Sequence, residues 1–178
     1  MARSPKTLCC FLSWSGVLAS AMLVCGCANP WLELMRFDPR AVRQWADDEA
    51  YMATLHTKLE AVEGIRGRLP DLPEDVQREW ARTLTYIIEH DDNALLREAA
   101  VKTLAVLPQP LSEKGLTQAL EDGSARVRVA VCEAWSQRQS GTAVEHLARV
   151  LGSDTDLDVQ IAAAKGLAKF NDPRAVRA

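Results

Sequence analysis

Three nine-residue stretches decide how this chain folds: LREAAVKTL at 96–104, VRVAVCEAW at 127–135 and VQIAAAKGL at 159–167. They stand 31 and 32 residues apart and share one pattern. An aliphatic residue opens each copy (Leu96, Val127, Val159), a long polar one follows (Arg97, Arg128, Gln160), and alanine comes two places later (Ala99, Ala130, Ala162). A large apolar residue closes each at Leu104, Trp135 and Leu167, and an Asp stands five residues ahead of each opening position, at Asp91, Asp122 and Asp154. Apolar residues three and four apart line one side of a helix.

The intervening segments align too, Leu116, Ala119 and Leu120 with Leu147, Val150 and Leu151, and less closely with Leu84, Ile87 and Ile88. Each unit therefore reads as helix, turn, helix. Neither helix can bury its apolar stripe alone, so consecutive pairs must stack to make a continuous core.

The pattern D-x4-[VL]-[RQ]-x-A-x4-[LW] resembles the second-helix signature of HEAT repeats, in the short form also found in phycobilin-lyase-like proteins. The match covers about 75–178. It implies an all-α fold, an α-α superhelix or HEAT-like solenoid of about three units. The resemblance also implies roles: Ala99, Ala130 and Ala162 at the closest helix contacts, Asp91, Asp122 and Asp154 capping turns, and Arg97 and Arg128 reaching between units to acidic groups or carbonyls. Gln160 breaks that basic ladder in the third copy. The resemblance is specific for architecture and unspecific for function.

Composition agrees. Of 178 residues 48% are hydrophobic but only 6% aromatic, so leucine and alanine must supply most of the packing, which favours helices. Arg3 and Lys6 are the only charged residues in the first 26, which leaves 19 basic against 24 acidic side chains beyond them, a net of −5. Such a body has no electrostatic footprint for nucleic acid.

Upstream, the chain begins MARSPKTLCCFLSWSGVLASAMLVCGC, a basic start and then an uncharged apolar run, the order of an export signal. Val24-Cys25-Gly26-Cys27 resembles the lipobox of bacterial lipoproteins. The resemblance implies cleavage before Cys27 and attachment of lipid to its sulfur. Residues 1–26 would be the signal peptide and 27–38 a tether, holding the protein at the periplasmic face of a bacterial membrane, the outer membrane included since no Asp follows Cys27. An uncleaved single-pass anchor and an ordinary cleaved signal are the alternatives. Four of five cysteines fall in this segment, with Cys132 alone in the body, so there is no disulfide framework to read.

Between tether and repeats, Asp38-Pro39 is a helix start. Val42, Trp45, Met52, Leu55, Leu59 and Val62 then predict one amphipathic helix over 39–63, stopped by Gly64 and Gly67, so that 39–67 forms a helix and turn. Pro70 and Pro73 bracket a connector, and the repeats occupy 73–178. At the other end NDPRAVRA places Ala175 and Val176 32 residues after Ala143 and Val144, as though another first helix were starting, and the last unit is expected to be truncated.

Catalytic signatures are thin. His56, His90 and His146 lie in separate helical regions with no metal-ligand spacing, Ser124 and Ser136 have no nucleophile-elbow motif, and Cys132 takes a core position shared with Val101 and Ala164. No enzyme activity, metal or cofactor is expected. The residues that point away from the core on the second helices are Glu98 and Lys102, Val129 and Glu133, Ile161 and Lys165. Their mixed charge suits an unknown protein or peptide partner better than a polyanion. The leading expectation is thus a lipid-anchored, non-catalytic scaffold of the cell envelope. A lyase-like or chaperone role in cofactor attachment, or a truncated fragment without function, are the alternatives.

Overall fold

Among the described helices all but the one that starts at Ala125 begin where a side chain or a proline settles the first turn. The computed structural model describes residues 38–47, 54–138 and 140–170. Asp38 accepts a hydrogen bond from the Arg40 amide at 2.9 Å and opens α1 (Pro39–Asp47). Thr54 caps α2 (Leu55–Ile65), accepting from the Thr57 amide at 3.3 Å. Pro73 precedes α3 (Glu74–His90), whose first turn carries Glu74 and Asp75 at the positive end of the helix dipole. Asn93 caps α4 (Ala94–Leu104) through the Leu95 amide, and Pro108 and Pro110 set the start of α5 (Gln109–Ala119). Ser124 precedes α6 (Ala125–Ser136), Ser140 caps α7 (Gly141–Ser153), and Asp156 caps α8 (Leu157–Leu167). Among the described residues every regular element is helical, and a 3₁₀ turn at Leu69–Asp71 joins α2 to α3.

The helices form two rows. In the first row α1 packs on α3 and α3 on α5; in the second α2 packs on α4, α4 on α6 and α6 on α8. The pairs α3/α4, α5/α6 and α7/α8 close across the rows, giving a helical repeat solenoid. Its core is continuous: Leu96, Val127 and Val159, with Leu104, Trp135 and Leu167, are all buried. The first-row residues Leu84, Leu116 and Leu147 have no exposed surface.

One reading of the sequence needs correction. Residues 39–63 do not form a single helix, because Thr54 has extended backbone (φ −61°, ψ 154°) and starts a second helix. Trp45 and Met52 carry side chains outside the described residues. The physical reason lies in length. One straight helix over that span would run about 37 Å, longer than either helix it packs against, about 26 Å for α3 and about 16 Å for α4, and would leave one end without a partner. Split in two, the segment buries Val42 on α3 and Ala61, Val62 and Ile65 on α4. Two buried hydroxyls tie it down: Thr83 donates to the Pro39 carbonyl and Thr103 to the Val62 carbonyl, each at 3.0 Å. The connector is held by Gln77, whose amide nitrogen donates to the carbonyls of Pro70 and Leu72. Among the described residues the stack thus begins with α1/α2, one pair earlier than the repeat pattern places it.

The alanines behave differently along the row. Ala99 and Ala130 are buried, whereas Ala162 is only partly covered; the next position, Ala100, Val131 and Ala163, is fully buried in all three copies. Likewise Val101 and Cys132 have no exposure while Ala164 is exposed. In α4 and α6 this side is covered by the next second helix; among the described residues none follows α8.

Packing is tightest at Gly115 on α5. A β-carbon there would stand 2.6 Å from both Leu104 Cδ2 and Thr85 Oγ1, and Leu104 is fully buried and cannot swing away. Gly115→Ala is expected to destabilise the fold by about 1–3 kcal/mol through overpacking. Gly123→Ala, which meets nothing within 4 Å, should be near neutral. Thermal melts of the two variants side by side check this.

Candidate interaction face

The second row is held in register by a repeated polar bridge. Arg97 on α4 donates Nε and Nη2 to the two carboxylate oxygens of Asp122 in the next unit, at 2.8 and 2.9 Å, and Nη1 to the carbonyls of Asp91 and Asp92. Arg128 on α6 repeats the arrangement onto Asp154 at 2.7 and 2.9 Å and onto the Asp122 carbonyl. Each of these Asp residues also accepts from the amide two places on: Asp91 from Asn93, Asp122 from Ser124, Asp154 from Asp156. One carboxylate therefore closes a turn and receives the preceding unit's arginine. Gln160 keeps only the carbonyl half, its amide donating to the Asp154 carbonyl at 2.6 Å.

A simpler ion pair stands at the corresponding place one unit earlier, where Lys58 on α2 lies 3.6 Å from Asp91. Sequence comparison missed this unit. The signal was present: Thr54, Asn93, Ser124 and Asp156 each stand four residues before Lys58, Arg97, Arg128 and Gln160. It was hidden because the spacing there is 39 residues, the 3₁₀ connector having lengthened the period, and because lysine and threonine replace arginine and the leading aliphatic residue.

Bidentate pairing sets the electrostatics. Burial raises the Asp122 carboxyl, and the stronger pull of Arg97 and the Ser124 amide carries it below its ordinary value; for Asp154 the bond from Arg128 leads the lowering. A carboxylate with a depressed folded value contributes stability that is fully present above its unfolded value, near 3.8, and is lost as pH falls through the folded one. The bridge should therefore hold down to about pH 4 and fail below it. Arg128→Met is expected to lower stability at neutral pH and to flatten the loss between about pH 4 and pH 2, which urea titrations across pH would show.

Alongside the bridges, the solvent side of the second row carries two lines of residues. One holds Leu59, Glu98, Val129 and Ile161, the other Glu63, Lys102, Glu133 and Lys165, so charge alternates in sign from helix to helix along the second line. The six residues singled out from sequence share this face but not one environment. Glu98 is largely covered and already paired, to Lys102 at 2.6 Å and Arg126 at 3.1 Å, and those cations outweigh the burial that would raise its carboxyl. Val129 packs partly into the core. Ile161 is 40% exposed, and Glu133 and Lys165 stand in solvent. The free part of the face therefore lies on α6 and α8, extended by Leu157, which is 67% exposed.

Other reactive side chains are absorbed by structure. His90 Nδ1 is 3.0 Å from the Tyr86 carbonyl and its ring stacks on Tyr86. His146 lies on the Trp135 ring with centroids 4.5 Å apart, and burial lowers its pKa. Trp135 fills the place held by Leu104 and Leu167 in the other units. Arg138 follows it and donates Nη2 to the Ala105 and Leu107 carbonyls and to Ser112 Oγ, clamping the α4–α5 turn from the next unit. Ser136 Oγ donates to the Glu133 carbonyl. Among the described residues no group of His, Cys, Asp and Glu is placed to hold a metal ion.

Cys132 has no exposed surface, and burial, helped by the charges of Asp154 and Glu133, pushes its thiol up to about 12. It is a packing residue with almost no thiolate at neutral pH. Alkylation by iodoacetamide at pH 8, followed by peptide mass mapping, should leave Cys132 unmodified in the folded chain and modify it completely in urea.

Residues 113–178 match a family model described as HEAT repeats. That span begins within α5 and takes in the two units that carry the Arg128–Asp154 bridge and the free part of the face. No curated protein matches the chain. Among the described residues no helix is long and apolar enough to cross a membrane. Cys27 and the segment 171–178 lie outside the described residues.

Proposed function

We propose that this protein is a non-catalytic scaffold that binds a protein partner through the second-helix face of α6 and α8, and that lipid on Cys27 tethers it to the bacterial cell envelope. HEAT repeats are helical scaffolds used widely for protein interaction, and the similarity over 113–178 supports that use here. The observation that carries the binding reading is the exposed apolar pair Leu157 and Ile161, set beside the exposed charges of Glu133 and Lys165. An apolar centre with a polar rim is the anatomy of a protein-binding patch.

Size narrows the partner. Helices of eleven or twelve residues are about 16–18 Å long, and α6 and α8 side by side at about 10 Å spacing present a strip roughly 20 Å across. The face is then about 350 Å², well below the ~800 Å² that each side of a standard stable complex contributes. A single peptide segment or helix of a partner fits it better than a whole domain, with transient affinity. Tethering offsets weak affinity, because a protein held at a surface meets its neighbours at high effective concentration.

Stable attachment needs at least two acyl chains, which a lipoprotein amino terminus provides. The support for it is the sequence Val24-Cys25-Gly26-Cys27 after an uncharged apolar run. Mass spectrometry of the mature amino terminus is expected to find diacylglyceryl-modified Cys27, and Cys27→Ser should remove the protein from the membrane fraction. An intact Met1 would overturn the tether. Crosslinked partners recovered with the wild-type chain should be lost from a variant carrying Ile161→Asp and Glu133→Arg; an unchanged partner set would remove this face from the proposal.

A further inference from the structure

The opposite side of the molecule carries a feature that the repeat architecture does not require. On the first row, an open groove of about 470 Å³ runs over α3 and α5, with Arg43 of α1 at its rim. Among the described residues four cations line it, Arg43, Arg78, Arg82 and Lys114, and one carboxylate, Glu89. The chain as a whole is net negative, −3, so this clustering runs against its overall balance.

The four cations are not equivalent. Arg78 is held by Glu74 at 2.6 Å and Arg82 by Glu79 at 3.4 Å, both on α3. Arg43 instead lies with its guanidinium carbon 4.6 Å from the centroid of the Tyr86 ring, a cation–π contact that orders the side chain without neutralising it. Among the described residues no carboxylate stands within ion-pair distance of Arg43 or Lys114. Two charges with no ion-pair partner among the described residues thus flank a floor that includes Ala81, Pro110 and Leu111.

We propose that this groove binds an acidic peptide segment of a protein partner, its carboxylates on Arg43 and Lys114 and an apolar side chain between them on Ala81 and Leu111. The surrounding carboxylates choose this occupant over other anions. Glu74, Glu79 and Glu89 interrupt the positive field, which disfavours a continuous polyanion or a flat anionic bilayer, whereas discrete carboxylates can each meet one cation and avoid the acids. Exposed pairs of this kind are individually weak and screened by salt, so binding is modest and falls steeply as ionic strength rises. The groove lies on the first row and the face proposed above on the second, so the two are separable by mutation.

The test is fluorescence anisotropy on the full-length chain in detergent, with a short fluorescein-labelled glutamate-rich peptide containing one leucine. Saturable binding is expected, weakened about tenfold by Arg43→Glu with Lys114→Glu and unaffected by Glu133→Arg. The reversed variant should take up a lysine-rich peptide of equal length that the wild type ignores, a swap that a merely destabilised protein would not show. Should the reversal lose its helical circular dichroism, Arg43→Gln with Lys114→Gln is expected to give an intermediate loss. Absence of saturable binding, equal binding by wild type and both variants, or binding only to phosphatidylglycerol vesicles through these residues, would each overturn the proposal.

Discussion

The structure depends on the fact that every second helix has two apolar flanks and only its neighbours to cover them. Leu96, Val101 and Leu104 on α4 are all at or near zero exposure, and so are Val127, Cys132 and Trp135 on α6. Such burial contributes about 1.5–3 kcal/mol for each large side chain. It also explains why α1/α2 cannot be a separate arm. Without that pair, one flank of α4 would face water and the Thr103 hydroxyl would lose its acceptor on Val62.

Apolar burial alone does not say how far one unit slides along the next. The Arg97–Asp122 and Arg128–Asp154 bridges supply that register. Each is bidentate and largely covered, and each carboxylate is already committed to closing its own turn, so displacement by a helical turn would strand a charge away from water. The net stabilisation by such pairs is small, because desolvation offsets most of the attraction. Their effect is on geometry: they align the second helices, which places Glu63, Lys102, Glu133 and Lys165 in a single line. At Gln160 the charge disappears while the carbonyl bond remains, so the turn is still closed without an arginine seeking a further acid.

Much of this was legible from pattern. The three copies, their Asp turns and the helix-turn-helix units follow from residues that repeat at a near-constant interval, and periodicity reports on packing direction. The α1/α2 pair was not legible in the same way, because one cap residue, Thr54, divides what hydrophobic spacing alone reads as a continuous helix. Nor were the six outward residues distinguishable. Spacing places Glu98 and Ile161 on the same face and sets Lys102 one turn from Glu98, but only the fold brings Arg126, 28 residues away, onto the second carboxylate oxygen of Glu98 while leaving Ile161 open.

What the sequence determined by itself is the unit and its direction of stacking, since both are written in local order: caps, apolar stripes, and an Asp at fixed distance from each core helix. What only the tertiary structure decided is where the stack begins and which charges remain available. A charge is spent or free according to neighbours distant in sequence, as with Lys58 and Asp91 or Arg97 and Asp122. The groove on the first row is the clearest case: Arg43, Arg78, Arg82 and Lys114 come from three helices far apart along the chain, and they meet only because the first helices of consecutive units pack side by side.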